Sequence, residues 1–176
     1  MERLFTLAYP ELEREDAERW AAFRAAHSPA ARFDVAPHFT LAFGCAEVPR
    51  ADYEAHVARV AASTPPVSFV CRYAMLGADD EDDRAYVFLV PDEGFAAVSR
   101  LHDELYTGPL APHLRLDLPY VPHITIGVLS DRQHAKDLCD QLNAIGVCAP
   151  GSLRSLQVAT PCEGRLLGVS THALAG

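Results

Sequence analysis

A short phrase occurs twice in the chain, as PHFTLAFG from Pro37 to Gly44 and as PHITIG from Pro122 to Gly127. Each copy reads proline, histidine, an apolar residue, threonine and an apolar residue, and the two histidines are 85 positions apart. Side chains in a strand alternate between its two faces, so each copy predicts a strand with His and Thr on one face. The apolar face is expected to pack under helices, which leaves the polar face to meet water, a partner or a ligand.

The elements around the two phrases follow the same order, a helix and then a hairpin, with the features of the second half displaced by 85 positions from those of the first. This order predicts one unit copied twice. We therefore expect a single bilobal domain over 1–176, with an internal repeat at approximately 1–91 and 92–176. The predicted helices are 10–27, 49–63, 94–108 and 130–146, and the predicted strands are 3–9, 38–43, 67–76, 84–90, 123–129, 153–160 and 165–174. In the last helix, Ser130 and Gln133 have the spacing of a capping box.

Composition restricts the class of protein. With 49% hydrophobic and 22% charged residues, the 176-residue chain is expected to fold as a soluble globular protein. It has no apolar run near the roughly 20 residues that a membrane-spanning helix needs. The opening MERLFTLAYPEL is interpreted as a first strand rather than a signal peptide. We therefore expect a cytoplasmic protein with no membrane partner.

The net charge and the cysteine content limit the kinds of ligand that the chain is expected to bind. A net charge of −9 disfavours binding to duplex DNA or long RNA, because an acidic surface repels a polyanion. A small phosphate ligand is still compatible with this charge if several of the 14 Arg residues line one groove. The five cysteines form no CxxC pair, so reduced thiols are expected and a cysteine zinc site is not. The acidic run 78–83 is interpreted as a solvated turn between two strands.

A groove that presents two imidazoles and two hydroxyls suits cleavage of a phosphodiester. That reaction needs one group to accept a proton from the nucleophile and another to donate a proton to the leaving oxygen. Histidine, with an ordinary pKa of about 6.5, can do either at neutral pH. Threonine hydroxyls can donate to the non-bridging oxygens, and no metal or other cofactor is required. The candidate catalytic residues are therefore His38, His123, Thr40 and Thr125, without a decision on which histidine is the acid.

The paired sequences HFTL, from His38, and HITI, from His123, resemble the two signatures of the 2H phosphoesterase superfamily, which includes 2′-5′ RNA ligase-like proteins. The resemblance runs from Arg3 to about Thr171. It implies an α+β, bilobal, pseudo-twofold fold with two small, mainly antiparallel sheets flanked by helices around a central groove. It also implies metal-independent hydrolysis of a cyclic or 2′-5′ phosphodiester, typically of a 2′,3′-cyclic phosphate to a 2′-phosphate, with ligation as the reverse reaction. The same four residues would then be the acid/base pair and the phosphate donors.

Three further residues are candidates for contact with the substrate. Tyr120 is placed to stack on an unpaired base or, equally, to be a core tyrosine. Arg72 and Arg115 are candidates for contact with the phosphate, although an ordinary structural arginine is the commoner case. The expected substrate is a nucleotide or an RNA terminus with a cyclic or 2′-5′ phosphate, and the protein is expected to be a monomer.

Two non-enzymatic alternatives remain open from the sequence. One is a module that binds nucleotides or RNA ends with little turnover, and the other is a scaffold that uses its helices as an interface. A pure binder has no need of two titrating imidazoles, which favours the enzyme.

Overall fold

The computed structural model describes residues 2–78 and 83–175, and in this part of the chain there are nine strands and four α-helices. The strands are β1 (Leu4–Ala8), β2 (Glu11–Leu12), β3 (Phe39–Cys45), β4 (Val67–Ala78), β5 (Ala85–Glu93), β6 (Ile124–Leu129), β7 (Ala149–Leu153), β8 (Ser155–Cys162) and β9 (Arg165–Ala173). The helices are α1 (Arg14–His27), α2 (Arg50–Ser63), α3 (Phe95–Leu105) and α4 (Arg132–Ile145), and a short 3₁₀ helix spans Gly108–His113. Residues 79–82 of the predicted acidic turn lie outside the described residues.

All nine strands belong to one antiparallel sheet in the order β2-β7-β4-β5-β6-β3-β1-β8-β9. The prediction of two small sheets is therefore wrong. The pairing at the centre of the sheet explains why the sequence suggested two. At the centre, β3 and β6 are joined in the described residues by one pair alone, Phe39 with Ile124. The neighbouring pairs β5–β6 and β1–β3 have several register pairs each. Two well-paired groups of strands thus meet at a narrow junction between the two copies of the repeated phrase.

Each side of the junction draws strands from both halves of the sequence. On one side β4 and β5 lie beside β6 and β7, and on the other β1 and β3 lie beside β8 and β9. Helix α4 packs on β4, β5 and β6, while α2 packs on β8, β9 and β1. Each side of the junction thus combines two of these strands from the first half of the chain with two from the second half. The division of the repeat near residue 91 stays a prediction.

The core lies between the sheet and the helices that cover it. Alternate residues of both central strands are fully buried, as the pattern predicts: Phe39, Leu41, Ile124 and Ile126. The ring of Phe39 meets that of Phe69 edge-on at 5.1 Å. Burial of each such side chain contributes about 1.5–3 kcal/mol, so the junction is held by its apolar face and not by hydrogen bonds alone.

Several element boundaries differ from the predictions. The first helix begins at Arg14, because residues Glu11–Leu12 pair with β7 instead. The third helix ends at Leu105, before the 3₁₀ helix. The N-cap of α4 is Asp131 and not Ser130, since the Asp131 carboxylate accepts hydrogen bonds from the backbone N–H groups of Gln133 and His134. None of the described helices is long and apolar enough to cross a membrane.

Candidate active site

The four candidate catalytic side chains lie on one face of the junction. Phe39 and Ile124 are antiparallel partners, so the register places His38 across from Thr125 and Thr40 across from His123. All four side chains are half-buried, whereas their apolar neighbours along both strands are buried. Two histidines and two threonines therefore alternate around one small area of the sheet.

The proline of each phrase has a structural role that explains why it is repeated. Nδ1 of His38 donates to the carbonyl of Ala36 at 2.8 Å, and Nδ1 of His123 donates to the carbonyl of Val121 at 2.6 Å. In both cases the intervening residue is a proline, which fixes its own φ and holds the residue before it extended. Because a carbonyl only accepts, each neutral imidazole carries its proton on Nδ1. Nε2 is left as the nitrogen available to a ligand.

These side chains line a cavity of about 460 Å³. Among the described residues around it there are four arginines and no carboxylate, in a chain whose net charge is −9. Phe43, which is 39% exposed, and Phe5 and Phe33 add aromatic surface. The four arginines are Arg3, Arg24, Arg32 and Arg115. A site of this composition favours an anion that carries an apolar, planar group.

Burial favours the neutral form of both histidines. Burial lowers the pKa of His38 to about 4, and this effect outweighs its hydrogen bond to Ala36, which raises it. The positive charges of Arg24 and of a protonated His123 lower the pKa of His38 further. Burial also lowers the pKa of His123, against its hydrogen bond to Val121.

Comparisons with known proteins identify the family of the chain. The sequence model of the family described as 2′-5′ RNA ligase superfamily matches residues 10–158, a segment that contains both phrases. The chain belongs to this superfamily. The resemblance to the 2H phosphoesterases, to which such proteins belong, is thereby confirmed. Among curated protein sequences, none matches the chain.

Solved structures share the fold over nearly the whole chain. Escherichia coli LigT in complex with NADP⁺ is 21% identical, with a TM-score of 0.58 over 99% of each chain. The protein TT0787 of Thermus thermophilus is 18% identical, with a TM-score of 0.66 over 99% of this chain and 98% of that one. Usb1 of Kluyveromyces marxianus is 8% identical, with a TM-score of 0.57 over 98% of each chain. At these identities the likeness shows the α+β fold.

Arg24 is a residue of the site that the sequence analysis did not identify in this member of the superfamily. Arg24 of α1 is only 9% exposed, and it lines the cavity. Its Nε donates to the carbonyl of Val35 at 2.8 Å, and its Nη1 donates to the carbonyl of Thr125 at 2.6 Å. A signal was present in the sequence, because Arg24 follows the buried Trp20 by four positions on the same helix face.

Tyr120 lines the cavity and supports the first phrase. Its hydroxyl donates to the carbonyl of Thr40 at 3.1 Å, and its ring stacks on His102 with 3.6 Å between centroids and 2° between planes. His102 is buried, and its Nδ1 donates to the carbonyl of Leu41 at 2.8 Å. One face of the Tyr120 ring is thus already covered, so a base could stack only on the other.

The two predicted arginines have different places. Arg115 lines the cavity and forms a two-pronged ion pair with Asp117. The structure does not bring Arg72 to the cavity, because Arg72 lies exposed on β4 and pairs with Asp92 and Glu93. Arg72 is therefore not part of the candidate site.

A stacked ring supports His123. The ring of Phe88 on β5 lies 3.8 Å from that of His123, with 23° between the planes. Phe88 in turn fills the space above Gly77 on the adjacent strand β4, where an added Cβ would lie 1.9 Å from a ring carbon of Phe88. Gly77 therefore leaves the room that Phe88 needs to reach His123.

Proposed function

We propose that this protein is a phosphoesterase that hydrolyses a cyclic or 2′-5′ phosphodiester on a nucleotide or an RNA terminus. The observation that carries the proposal is the convergence of two imidazoles, each with Nε2 available, and two threonines on one arginine-lined cavity. Family membership supports the same class of reaction.

The proposed mechanism divides two proton transfers between the histidines. For a 2′,3′-cyclic phosphate, one neutral imidazole accepts a proton from water as the water oxygen bonds to phosphorus. The other imidazole, protonated, donates to the ribose oxygen as its bond to phosphorus breaks. The product is a nucleotide 2′- or 3′-monophosphate, the 2′ isomer being the one that the family resemblance implies. If a 5′-hydroxyl took the place of water, its oxygen would bond to phosphorus, the bond from phosphorus to the 3′ oxygen would break, and the protonated imidazole would donate to that oxygen, so that the same site would join ends through a 2′-5′ bond.

The threonines and the cavity walls would complete the site. In this proposal the hydroxyls of Thr40 and Thr125 donate to the non-bridging phosphate oxygens, whose charge grows in the transition state. Arg115 contributes positive charge near the phosphate. The rings of Tyr120 and Phe43, whose centroids are 6.5 Å apart and whose planes meet at 74°, would offer aromatic surface to a base.

Three parts of the proposal rest on the sequence alone: metal independence, a monomeric state and a cytoplasmic location. Within residues 2–78 and 83–175, no group of three or more His, Cys, Asp or Glu side chains is arranged to hold a metal ion. Activity in the presence of EDTA is the direct test of metal independence.

The alternative function is a module that binds nucleotides or RNA ends with little turnover. It would keep the arginines and aromatic rings of the cavity but would make no use of the free Nε2 atoms. The repeated Pro-His geometry, which exposes the same nitrogen twice, favours the enzyme.

A substrate panel tests the proposal. The purified protein would be incubated with EDTA and, in separate reactions, with 2′,3′-cyclic AMP, with an oligonucleotide ending in a 2′,3′-cyclic phosphate and with a 2′-5′-linked dinucleotide. We expect turnover of at least one, with a monophosphate product identified by chromatography against 2′-AMP and 3′-AMP. Binding of 3′-AMP without turnover of any of the three would support the binding module instead.

A further inference from the structure

We propose that Tyr120 is a positioning residue for Thr40: its hydroxyl holds the backbone carbonyl of Thr40 and thereby sets the direction of the threonine hydroxyl. His102 acts with Tyr120, because it supports both the ring of Tyr120 and the next carbonyl of β3. This inference rests on the proposed function and deepens it, since it explains how one of the two threonines is directed toward the phosphate.

The carbonyl of Thr40 is held by a side chain from outside the sheet. Within the described residues, Phe39 with Ile124 is the one register pair between β3 and β6. The hydroxyl of Tyr120 donates to the carbonyl of Thr40, the residue after that pair, at 3.1 Å. Burial raises the pKa of Tyr120, so its hydroxyl keeps the proton that this bond needs. A tyrosine thus supports β3 next to its narrow junction with β6.

Helix α3 packs on β3 and supports this contact. The ring of His102 stacks on that of Tyr120, with 3.6 Å between centroids and 2° between planes, and its Nδ1 donates to the carbonyl of Leu41 at 2.8 Å. Four positions later, the hydroxyl of Tyr106 accepts from the backbone N–H of Phe43 at 2.9 Å. His102 and Tyr106 are both buried. Together with Tyr120 they hold three backbone groups of β3.

A β-bulge follows the threonine in both copies of the repeated phrase. In the register of β3 with β1, Leu41 is an extra residue between the paired residues Thr40 and Ala42. In the register of β6 with β5, Ile126 is an extra residue after the paired Thr125. The two extra residues are 85 positions apart (126 − 41), as the two histidines are. A bulge bends its strand and redirects side chains, so each threonine lies where regular pairing alone does not fix its direction.

The second copy has a corresponding contact. The carbonyl of Thr125 accepts from Nη1 of Arg24 at 2.6 Å, so each threonine before a bulge has its carbonyl held by a side chain from another segment. A held carbonyl fixes the peptide plane and with it the ψ angle of the threonine. The preferred χ1 rotamer of a side chain depends on that backbone angle, and a β-branched side chain is stiff in χ1. The hydroxyl of Tyr120 therefore selects where the hydroxyl of Thr40 points.

The substitution Tyr120→Phe tests this role, because it removes the hydroxyl and keeps the ring that stacks on His102. Tyr53→Phe is the matched control. The hydroxyl of Tyr53 is also buried and hydrogen-bonded, to Oγ1 of Thr6 at 2.9 Å, and neither of these residues is among those that line the cavity. Both variants lose one internal hydrogen bond, and urea unfolding would measure the stability that each loses.

The first measurement is the χ1 rotamer of each threonine, obtained by NMR from three-bond couplings of Cγ2 to the backbone nitrogen and to the carbonyl carbon. In Tyr120→Phe we expect the couplings of Thr40 to move toward the values of averaged rotamers, while those of Thr125 stay as in the wild type. Tyr53→Phe should change neither set. Unchanged couplings of Thr40 in folded Tyr120→Phe would overturn the proposal, because a merely structural tyrosine would affect stability alone.

The second measurement is steady-state kinetics on the substrate found in the panel. We expect Tyr120→Phe to lower kcat about 3- to 10-fold, the effect of one neutral hydrogen bond, with KM near that of the wild type. Added to Thr40→Val, Tyr120→Phe should have no further effect, because the hydroxyl that it directs is absent. Added to Thr125→Val, it should keep its full effect. Equal effects in the two backgrounds, or a kcat equal to that of the wild type, would overturn the proposal.

The two measurements separate this proposal from the proposed function. The couplings need neither ligand nor turnover, so averaged couplings of Thr40 without turnover of any panel substrate would support the positioning role and count against the phosphoesterase. His102→Phe provides a second variant if Tyr120→Phe does not fold, because it keeps a ring against Tyr120 and removes the donor to Leu41. We expect it to change the couplings of Thr40 in the same direction, and unchanged couplings in folded His102→Phe would contradict the support that we assign to α3.

Discussion

Phe39 and Ile124 pair where the two well-hydrogen-bonded groups of strands meet, and the residues on either side of each are the candidate catalytic His and Thr. An antiparallel pair at this position sets each histidine across from the threonine of the other phrase. The repetition in the sequence thus becomes an approximate twofold relation within the cavity. His38, Thr40, His123 and Thr125 all line the cavity beside this pair.

The threonines are predicted to act in the transition state. We expect Thr40→Val and Thr125→Val each to lower kcat by about 10²-fold, because valine has a similar shape but cannot donate to a phosphate oxygen. Steady-state kinetics on a cyclic nucleotide would separate kcat from KM. Thr171→Val on the exposed edge strand β9 is the control and should leave both unchanged. A rise in KM with unchanged kcat in the two site variants would argue against this role.

Gly77 is predicted to act on His123 through Phe88. In Gly77→Ala the new Cβ would lie 1.9 Å from the Phe88 ring, so that ring must move away from His123. We expect lower kcat and a lower free energy of unfolding, measured by kinetics and by urea denaturation. Adding Phe88→Leu should recover part of the loss, so that the two substitutions are not additive.

Gly168→Ala provides the comparison for that experiment. Its Cβ would meet the end of the Gln157 side chain at 2.8 Å, which can swing aside on the β8–β9 hairpin. We expect kcat near that of the wild type. If Gly77→Ala also kept the kcat of the wild type, the contacts from Gly77 through Phe88 to His123 would not contribute to activity.

Much of this arrangement could be predicted from the sequence. Two-residue alternation placed His38 and Thr40 on one strand face, and the spacing of the two phrases indicated a repeated order of elements. The single sheet could not be predicted, because it depends on the one long-range pair between Phe39 and Ile124. Arg24 was missed because an arginine in a largely polar helix is usually solvated, and its burial depends on where α1 packs.

Strand β7 is another element that local sequence preference did not predict. Pro150 and Gly151 favour a turn by composition, yet both residues pair with β4. At Gly151 a Cβ would lie 2.6 Å from the Leu12 side chain, so glycine here permits the close approach of β2. Such tertiary contacts outweigh local preference, and they decided the boundaries that the sequence analysis placed wrongly.

The stability of the protein is predicted to fall in mild acid. The unfolded chain protonates His38 at its ordinary pKa of about 6.5, whereas burial keeps the pKa in the folded protein at about 4. The unfolded state therefore binds more protons in this range, so stability present above pH 6.5 is lost progressively down to about pH 4. Urea unfolding at several pH values should show a smaller loss for His38→Gln than for the wild type. The exposed His134→Gln is the control, and equal losses in all three proteins would contradict the burial of a neutral His38.

The central claim is that His38 and His123 together carry the chemistry, and their removal tests it most directly. Hydrolysis of the substrate found in the panel would be measured with EDTA present for the wild type, His38→Ala, His123→Ala and the exposed control His134→Ala. We predict that each of the first two variants loses about 10²- to 10⁴-fold in kcat, since each lacks one of the two proton-transfer groups, while the control keeps wild-type activity. Near wild-type turnover by a folded His38→Ala or His123→Ala would contradict the account.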